Sequence, residues 1–144
     1  MTHSATPQSQ DMRIWLFLGA VNGFLAVIAG AVGAHVLENR LQGPARGFYD
    51  MAAHFQLWHA LALVAVALLS TYPRRPAGAR WLRVAGTGFI AGIVLFCGPL
   101  YDLAIAGSSA VHWIIPIGGM CLIGGWLALA IAALYMGPQP GGDA

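Results

Sequence analysis

Four long runs of this 144-residue chain contain very few ionisable side chains, and this feature constrains the fold more than any other. A helix needs about 20 mainly apolar residues to cross a hydrocarbon core about 30 Å thick, and each run is long enough. We therefore predict an all-α protein, an integral membrane bundle of four transmembrane helices within residues 13–136. The predicted spans are about 14–37, 51–72, 84–106 and 113–136.

The composition supports a lipid environment. Hydrophobic residues make up 58% of the chain and charged residues only 8%, and the mean hydropathy is +0.70. Soluble domains carry about 25% charged residues, so these few charges do not suffice to cover a soluble surface. The net charge of +2, with no basic run interleaved with aromatic residues, argues against nucleic acid as a partner. The lipid bilayer is the expected partner.

Both ends of the chain are polar or rich in glycine and proline. We expect residues 1–12 to form a disordered cytoplasmic tail and residues 137–144 to form a second disordered tail. Five arginines lie on the side that the two termini share, and two lie on the other side, Arg40 and Arg46. The excess of positive charge predicts a bacterial inner-membrane (cell membrane) protein with its N- and C-termini in the cytoplasm.

Small residues recur at helical spacing in three of the four spans. In lipid, helices associate through close backbone contact, which small residues allow. We therefore predict that glycines pack the helices against one another. The predicted packing glycines are Gly19, Gly23, Gly30, Gly33, Gly88, Gly92, Gly118 and Gly125.

Two further features concern the shape of the bundle. Pro99 follows Gly98 inside the third span, where a missing N–H and the proline ring predict a kink. A shift of 65 positions aligns residues of the first span with residues of the third, including Gly23 with Gly88. This alignment suggests a parallel repeat of two hairpins, as in some transporters.

The polar residues of the spans gather in the half of the bundle opposite the termini. We single out as a candidate polar cluster or ligand-binding site His35, Gln56, His59, Tyr101 and Asp102. At 1.5 Å per residue, His59 lies about 12 Å below Met51, close to the middle of the bilayer. A polar side chain at that depth needs a partner inside the bundle or in a wet cavity.

Three roles are open for His59. The first is a structural hydrogen bond between helices, the second is the binding of a ligand or a proton, and the third is the ligation of a metal or a haem. His54 and His59 are five residues apart, about 140° around a helix, so they do not form the i, i+4 pair that chelates a metal. We predict no metal site, no cofactor and no catalytic residue, because neither a local metal motif nor a nucleophile–base pair is present.

Four ordered motifs resemble a known family. They are GAVGAH at 30–35, QLWHALAL at 56–63, LFCGPLY at 95–101, and PIGG at 116–119 followed by Gly125 and Trp126. Together they resemble domain of unknown function 423, also called uncharacterised protein family 0382, over about residues 13–136. The chain departs from the family pattern at Cys97 and Pro99, where serine is more usual.

The resemblance implies a small four-helix integral membrane protein, found in the bacterial inner membrane in most members and related to the transmembrane protein 256 group. It implies no reaction and no ligand. Our first functional interpretation is a non-enzymatic interaction or accessory bundle, with a homo-oligomer or a membrane protein partner. The alternative is a small oligomeric transporter or channel with the polar cluster at its outer face.

Overall fold

The structure, a computed structural model, describes residues 7–107, 110 and 112–137, with side chains from residue 9 onward. Five α-helices follow one another along the chain: α1 (Pro7–His35), α2 (Pro44–Leu69), α3 (Pro76–Gly92), α4 (Gly98–Ala106) and α5 (Ile115–Ala133). A π-helical turn, Ile93–Cys97, joins α3 to α4 without a break, and a short 3₁₀ turn, His112–Ile114, precedes α5. Four helices, among them the continuous 31-residue helix Pro76–Ala106, are long and apolar enough to cross a membrane. The protein is thus an all-α four-helix membrane bundle.

Several helices begin earlier than the apolar runs predicted. The second begins at Pro44 rather than near residue 51, and the third begins at Pro76 rather than near residue 84. Proline is favoured in the first turn of a helix, where its missing N–H has no partner to lose. The added turns carry arginines, which lower the local hydropathy, so the apolar runs did not include the start of either helix.

The ends of the chain also differ from expectation. Helix α1 begins at Pro7, so residues 7–12 belong to a helix and not to the predicted tail of residues 1–12. Residues 1–6 and 138–144 lie outside the described part of the chain. The second and fourth spans end at Leu69 and Ala133, three residues before their predicted limits of 72 and 136.

A kink is predicted near Gly98 and Pro99, and at this place the structure has a π turn. Pro99 lies in the first turn of α4, directly after Ile93–Cys97. In a regular α-helix the Pro99 ring would collide with the carbonyl of Leu95, and Pro99 has no N–H to donate to it. The wider turn removes this conflict by inserting one residue into the helical register.

Helix α2 is the central element. Helix α1 packs along α2, α4 packs against α2, and α3 packs along α5. The largest buried cluster is formed by side chains of several helices around α2 and α3, including Leu63, Val66, Leu82 and Phe89. Trp15 of α1 covers this cluster near the end of the bundle that carries the α2–α3 loop, hereafter the Arg74 end.

Glycines allow the helices to approach closely at six of the eight predicted packing positions. A Cβ atom at Gly19 would lie 2.9 Å from the Val64 side chain, and one at Gly33 would lie 2.6 Å from the Tyr49 ring. Between the third and fourth spans, a Cβ at Gly88 would lie 3.1 Å from the Cys121 carbonyl oxygen. The remaining three, which would meet Leu122, the Leu95–Phe96 backbone or the Phe89 ring, are Gly92, Gly118 and Gly125.

The other two predicted positions differ. A Cβ at Gly23 would make only an ordinary 3.9 Å contact with Ala60, and a Cβ at Gly30 would meet nothing within 4 Å. The space in front of Gly30 is therefore open within the described part of the chain. The spacing analysis missed Gly86, where an added Cβ would lie 2.8 Å from the Trp15 ring.

We predict that Gly118→Ala destabilises the bundle. Its Cβ would collide with the backbone of Leu95 and Phe96, which cannot move as a side chain can. Overpacking of this kind costs about 1–3 kcal/mol of unfolding free energy. The matched control is Gly124→Ala, on the same helix with nothing within 4 Å of the added methyl. Reversible unfolding in mixed detergent micelles measures both, and equal stability of the two variants would contradict the packing role of Gly118.

Candidate functional site

Gln56 of α2 joins three of the four spans. Its Oε1 accepts a hydrogen bond of 2.9 Å from the Tyr101 hydroxyl of α4. Its Nε2 donates to Asn22 Oδ1 of α1 at 3.5 Å, a long contact at the limit of a hydrogen bond. Asn22 Nδ2 in turn donates to the Leu18 carbonyl at 2.9 Å. Gln56 is only 7% exposed, so these contacts replace the water that it lacks.

His59, one turn further along α2, makes two hydrogen bonds. Its Nδ1 lies 2.7 Å from the Phe55 carbonyl oxygen, and the indole Nε1 of Trp126 on α5 lies 3.1 Å from its Nε2. A carbonyl only accepts and an indole N–H only donates, so Nδ1 carries the hydrogen and Nε2 accepts. Both nitrogens of a neutral imidazole are therefore satisfied.

Aromatic rings enclose His59. The Phe89 ring lies 5.6 Å from the imidazole and 5.2 Å from the Trp126 ring, both measured between ring centroids. The Phe55 ring lies 5.9 Å from the imidazole. His59 is only 4% exposed, so a ligand would reach the imidazole only by displacing one of these rings.

Tyr49 extends the polar contacts toward the end of the bundle opposite the Arg74 end. Its hydroxyl donates to the Ala29 carbonyl of α1 at 2.9 Å, and its ring packs edge to face against Tyr101 at 5.2 Å. Gly33 provides the space for the ring. The sequence analysis did not assign this role to Tyr49, although a tyrosine hydroxyl near a membrane helix regularly needs such a partner.

The five predicted cluster residues do not all meet. Gln56 contacts Tyr101, and His59 lies one turn away with Trp126 as its interhelical partner. His35 is exposed at the end of α1, and within the described residues it makes no hydrogen bond with the others. Asp102 is partly exposed and likewise has no bond to them in this part of the chain. It follows Tyr101 by about 100° around the helix, so the two side chains leave α4 in different directions.

A cavity and a groove adjoin these residues. The cavity, of about 290 Å³, lies beside Gln56 and Tyr101 and is lined by the π turn at Ile93, Val94 and Cys97. The groove between α1 and α2, of about 380 Å³, contains Gly30, Ala53 and Leu57. We call the latter the Gly30 groove.

The Gly30 groove has charged side chains at its mouth. Arg46 Nε donates to Asp50 Oδ2 at 2.8 Å, and Arg46 Nη1 donates to the Gly33 carbonyl at 3.2 Å. His54, also at this groove, is exposed and stacks on Trp58. The Arg46 side chain therefore connects the start of α2 to the end of α1 through a hydrogen bond.

Reactive side chains do not converge elsewhere in the described residues. Within this part of the chain, no three His, Cys, Asp or Glu side chains are grouped so that they could hold a metal ion. Cys97 is buried and Cys121 is half-buried, and both are free thiols. The hydrogen bonds of His59 go to Phe55 and Trp126 and not to Cys97. The arrangement suits interhelical connection better than group transfer.

We predict that Tyr101→Phe lowers the unfolding free energy by about 0.5–1.5 kcal/mol, because Gln56 Oε1 loses its donor while the ring stays in place. Tyr72→Phe is the matched control, since the Tyr72 side chain is exposed beyond the end of α2. The two variants are compared by reversible unfolding in mixed micelles. Equal losses in both would show that the Tyr101–Gln56 bond contributes nothing.

The chain resembles several known proteins over most of its length. The family described as Protein of unknown function (DUF423) matches residues 29–119. A UPF0382 membrane protein of Staphylococcus saprophyticus is 38% identical over 122 residues, which cover 83% of this chain and 96% of the relative. The UPF0382 membrane protein YwdK of Bacillus subtilis is 36% identical over 123 residues, 85% of this chain and 98% of the relative.

A third relative is the UPF0382 inner membrane protein YgdD of Escherichia coli, 30% identical over 124 residues, 86% of this chain and 92% of the relative. No solved structure matches this chain significantly. The family match covers more than half of the chain, and the relatives are matched over nearly their whole length. This chain is thus an integral membrane protein that belongs to the DUF423 family.

Proposed function

We propose that this protein is a non-enzymatic interaction or accessory bundle of the membrane. One observation carries the proposal: the polar side chains at the centre of the bundle are engaged with one another. Tyr101 donates to Gln56, and both nitrogens of His59 are occupied by Phe55 and Trp126. A general base or a ligand-binding imidazole needs a nitrogen that the substrate can reach. Here the imidazole holds α2 against α5.

The Gly30 groove supports an interaction role. Gly30 is a helical glycine with open space in front of it, and Ala53 of α2 lines the same groove. Small residues on exposed helix faces let the backbone of another membrane helix approach closely. We infer that a transmembrane helix of a second copy or of another membrane protein packs in this groove.

Gly30→Leu tests this interaction. A Cβ at Gly30 would meet nothing within 4 Å, so we expect the bundle to stay folded. The rest of the leucine side chain would occupy the groove and shift the complex toward the monomer. Gly124→Leu is the matched control, because Gly124 is equally open on α5. The measurement is native mass spectrometry of the intact protein purified in mild detergent. A monomer under all conditions, or equal dissociation in both variants, would overturn the interaction role of this groove.

A second candidate function, a small transporter or channel, is favoured by the cavity of about 290 Å³ beside Gln56 and Tyr101. π turns in helices occur frequently at functional sites, and this one lines the cavity. The same mass spectra separate the two candidates. A reproducible small-molecule adduct, lost in Tyr101→Phe and kept in Tyr72→Phe, would favour the transporter, whereas a protein partner without an adduct favours the accessory bundle.

We further propose that the protein lies in the bacterial inner membrane with both termini in the cytoplasm. The arginines support this orientation. At the Arg74 end lie Arg13, Arg74, Arg75, Arg80 and Arg83, and at the opposite end lie Arg40 and Arg46. Arginines near helix ends accumulate on the cytoplasmic side. The relative of Escherichia coli is named an inner membrane protein.

This orientation predicts the behaviour of C-terminal fusions. A green fluorescent protein fused after Ala144 should fluoresce, and alkaline phosphatase fused there should be inactive, because it needs the periplasm for folding. Phosphatase fused in the loop before α2, after Gln42, serves as the matched control and should be active. The reverse pattern would show that the orientation is opposite.

A further inference from the structure

A groove with arginines at one end runs along α3 toward α5. Its volume is about 740 Å³, and it is lined by Arg80, Arg83, Val84, Thr87, Ala91 and Cys121. We call it the arginine groove. Both guanidinium groups lie near the Arg74 end, and Ala91 lies deeper along the helix.

Both guanidinium groups have N–H donors that make no hydrogen bond to the described residues. Arg80 is exposed, and among the described residues it makes no ion pair. Arg83 is 59% exposed, and its Nε lies 3.8 Å from Asp11 Oδ2 and 3.4 Å from the Ala79 carbonyl oxygen. The terminal nitrogens of both side chains are therefore available to donate hydrogen bonds to an anion. Guanidinium groups bind phosphate oxygens in bidentate fashion.

The length of the arginine groove matches one leaflet of a bilayer. At 1.5 Å per residue, Ala91 lies about 12 Å beyond Arg83 and about 17 Å beyond Arg80 along the helix axis. Half of a hydrocarbon core is about 15 Å. A lipid with its phosphate at the arginines therefore has its acyl chain beside Val84, Ala91 and Cys121.

Thr87 lies at an intermediate depth. It follows Arg83 by four residues, on the same face and about 6 Å deeper. The Thr87 side chain is exposed in the arginine groove. In a phospholipid the glycerol ester groups lie just below the phosphate, and a threonine hydroxyl can donate a hydrogen bond to an ester carbonyl.

We propose that the arginine groove binds one anionic phospholipid from the leaflet at the Arg74 end. Arg80 and Arg83 hold its phosphate, Thr87 donates to an ester carbonyl, and an acyl chain fills the apolar part of the groove. Charge complementarity selects an anionic lipid over a zwitterionic one, as basic pockets between membrane helices do. The proposal depends on the membrane location of the bundle and not on its accessory role.

The test uses the full-length protein in mild detergent, titrated with phosphatidylglycerol or with phosphatidylcholine of identical acyl chains and analysed by native mass spectrometry. We expect phosphatidylglycerol to bind about 10- to 30-fold more tightly, and the preference to disappear in the double variant Arg80→Gln, Arg83→Gln. Arg40→Gln, at the opposite end of the bundle, is the matched control and should keep the preference. Equal binding of both lipids by the unaltered protein would overturn the proposal.

A second variant pair tests the acyl-chain part of the groove. Ala91→Phe fills the apolar part and should weaken phosphatidylglycerol binding, whereas Ala130→Phe, exposed on α5, should not. Circular dichroism and the melting temperature of each variant confirm that the bundle is folded. Inorganic phosphate at millimolar concentration should not displace the lipid. If it does, or if Ala91→Phe binds as the unaltered protein does, the site holds an anion without a chain and the proposal is wrong.

Discussion

Polar side chains inside a lipid-embedded bundle need hydrogen-bond partners on other helices, and the rest of the structure depends on this requirement. This requirement applies above all to Gln56 and His59, which lie one turn apart on α2. Gln56 reaches Asn22 on α1 and Tyr101 on α4, and His59 accepts from Trp126 on α5. In hydrocarbon no water can replace these partners, so a shift of the helices that separated them would leave the polar groups unpaired. They specify how the spans fit around α2.

Close contact between helix backbones provides the packing, and the hydrogen bonds determine how the packed helices are oriented. Between the third and fourth spans, Gly88 lies against Gly125 and Cys121, and Gly118 lies against the backbone of the π turn. The wide turn before Pro99 moves the backbone of Leu95 and Phe96 into contact with α5, where only a glycine leaves room. The proline, the π turn and Gly118 therefore form one structural unit, although Gly118 lies on a different helix.

The surface of the bundle differs from its centre. The polar groups at the centre are engaged, but the Gly30 groove and the arginine groove are open, and they lie on different helix pairs and at opposite ends of the bundle. A helix that packs at Gly30 and a lipid that is held by Arg80 and Arg83 could therefore bind together without contact.

The sequence by itself determined the number of spans and most of the close glycine contacts, because length, hydropathy and helical spacing are local properties. It also singled out Pro99 as a place where the third span departs from a regular helix, but not the π turn that the structure has there. It also selected Gln56, His59 and Tyr101 as polar groups that need partners. Only the tertiary structure decided which partners they find: Trp126 meets His59, His35 and Asp102 stay apart from the others, and Gly30 faces open space. The physical reason is that a helix presents residues in every direction, and only the packing of its neighbours decides which of those directions are buried.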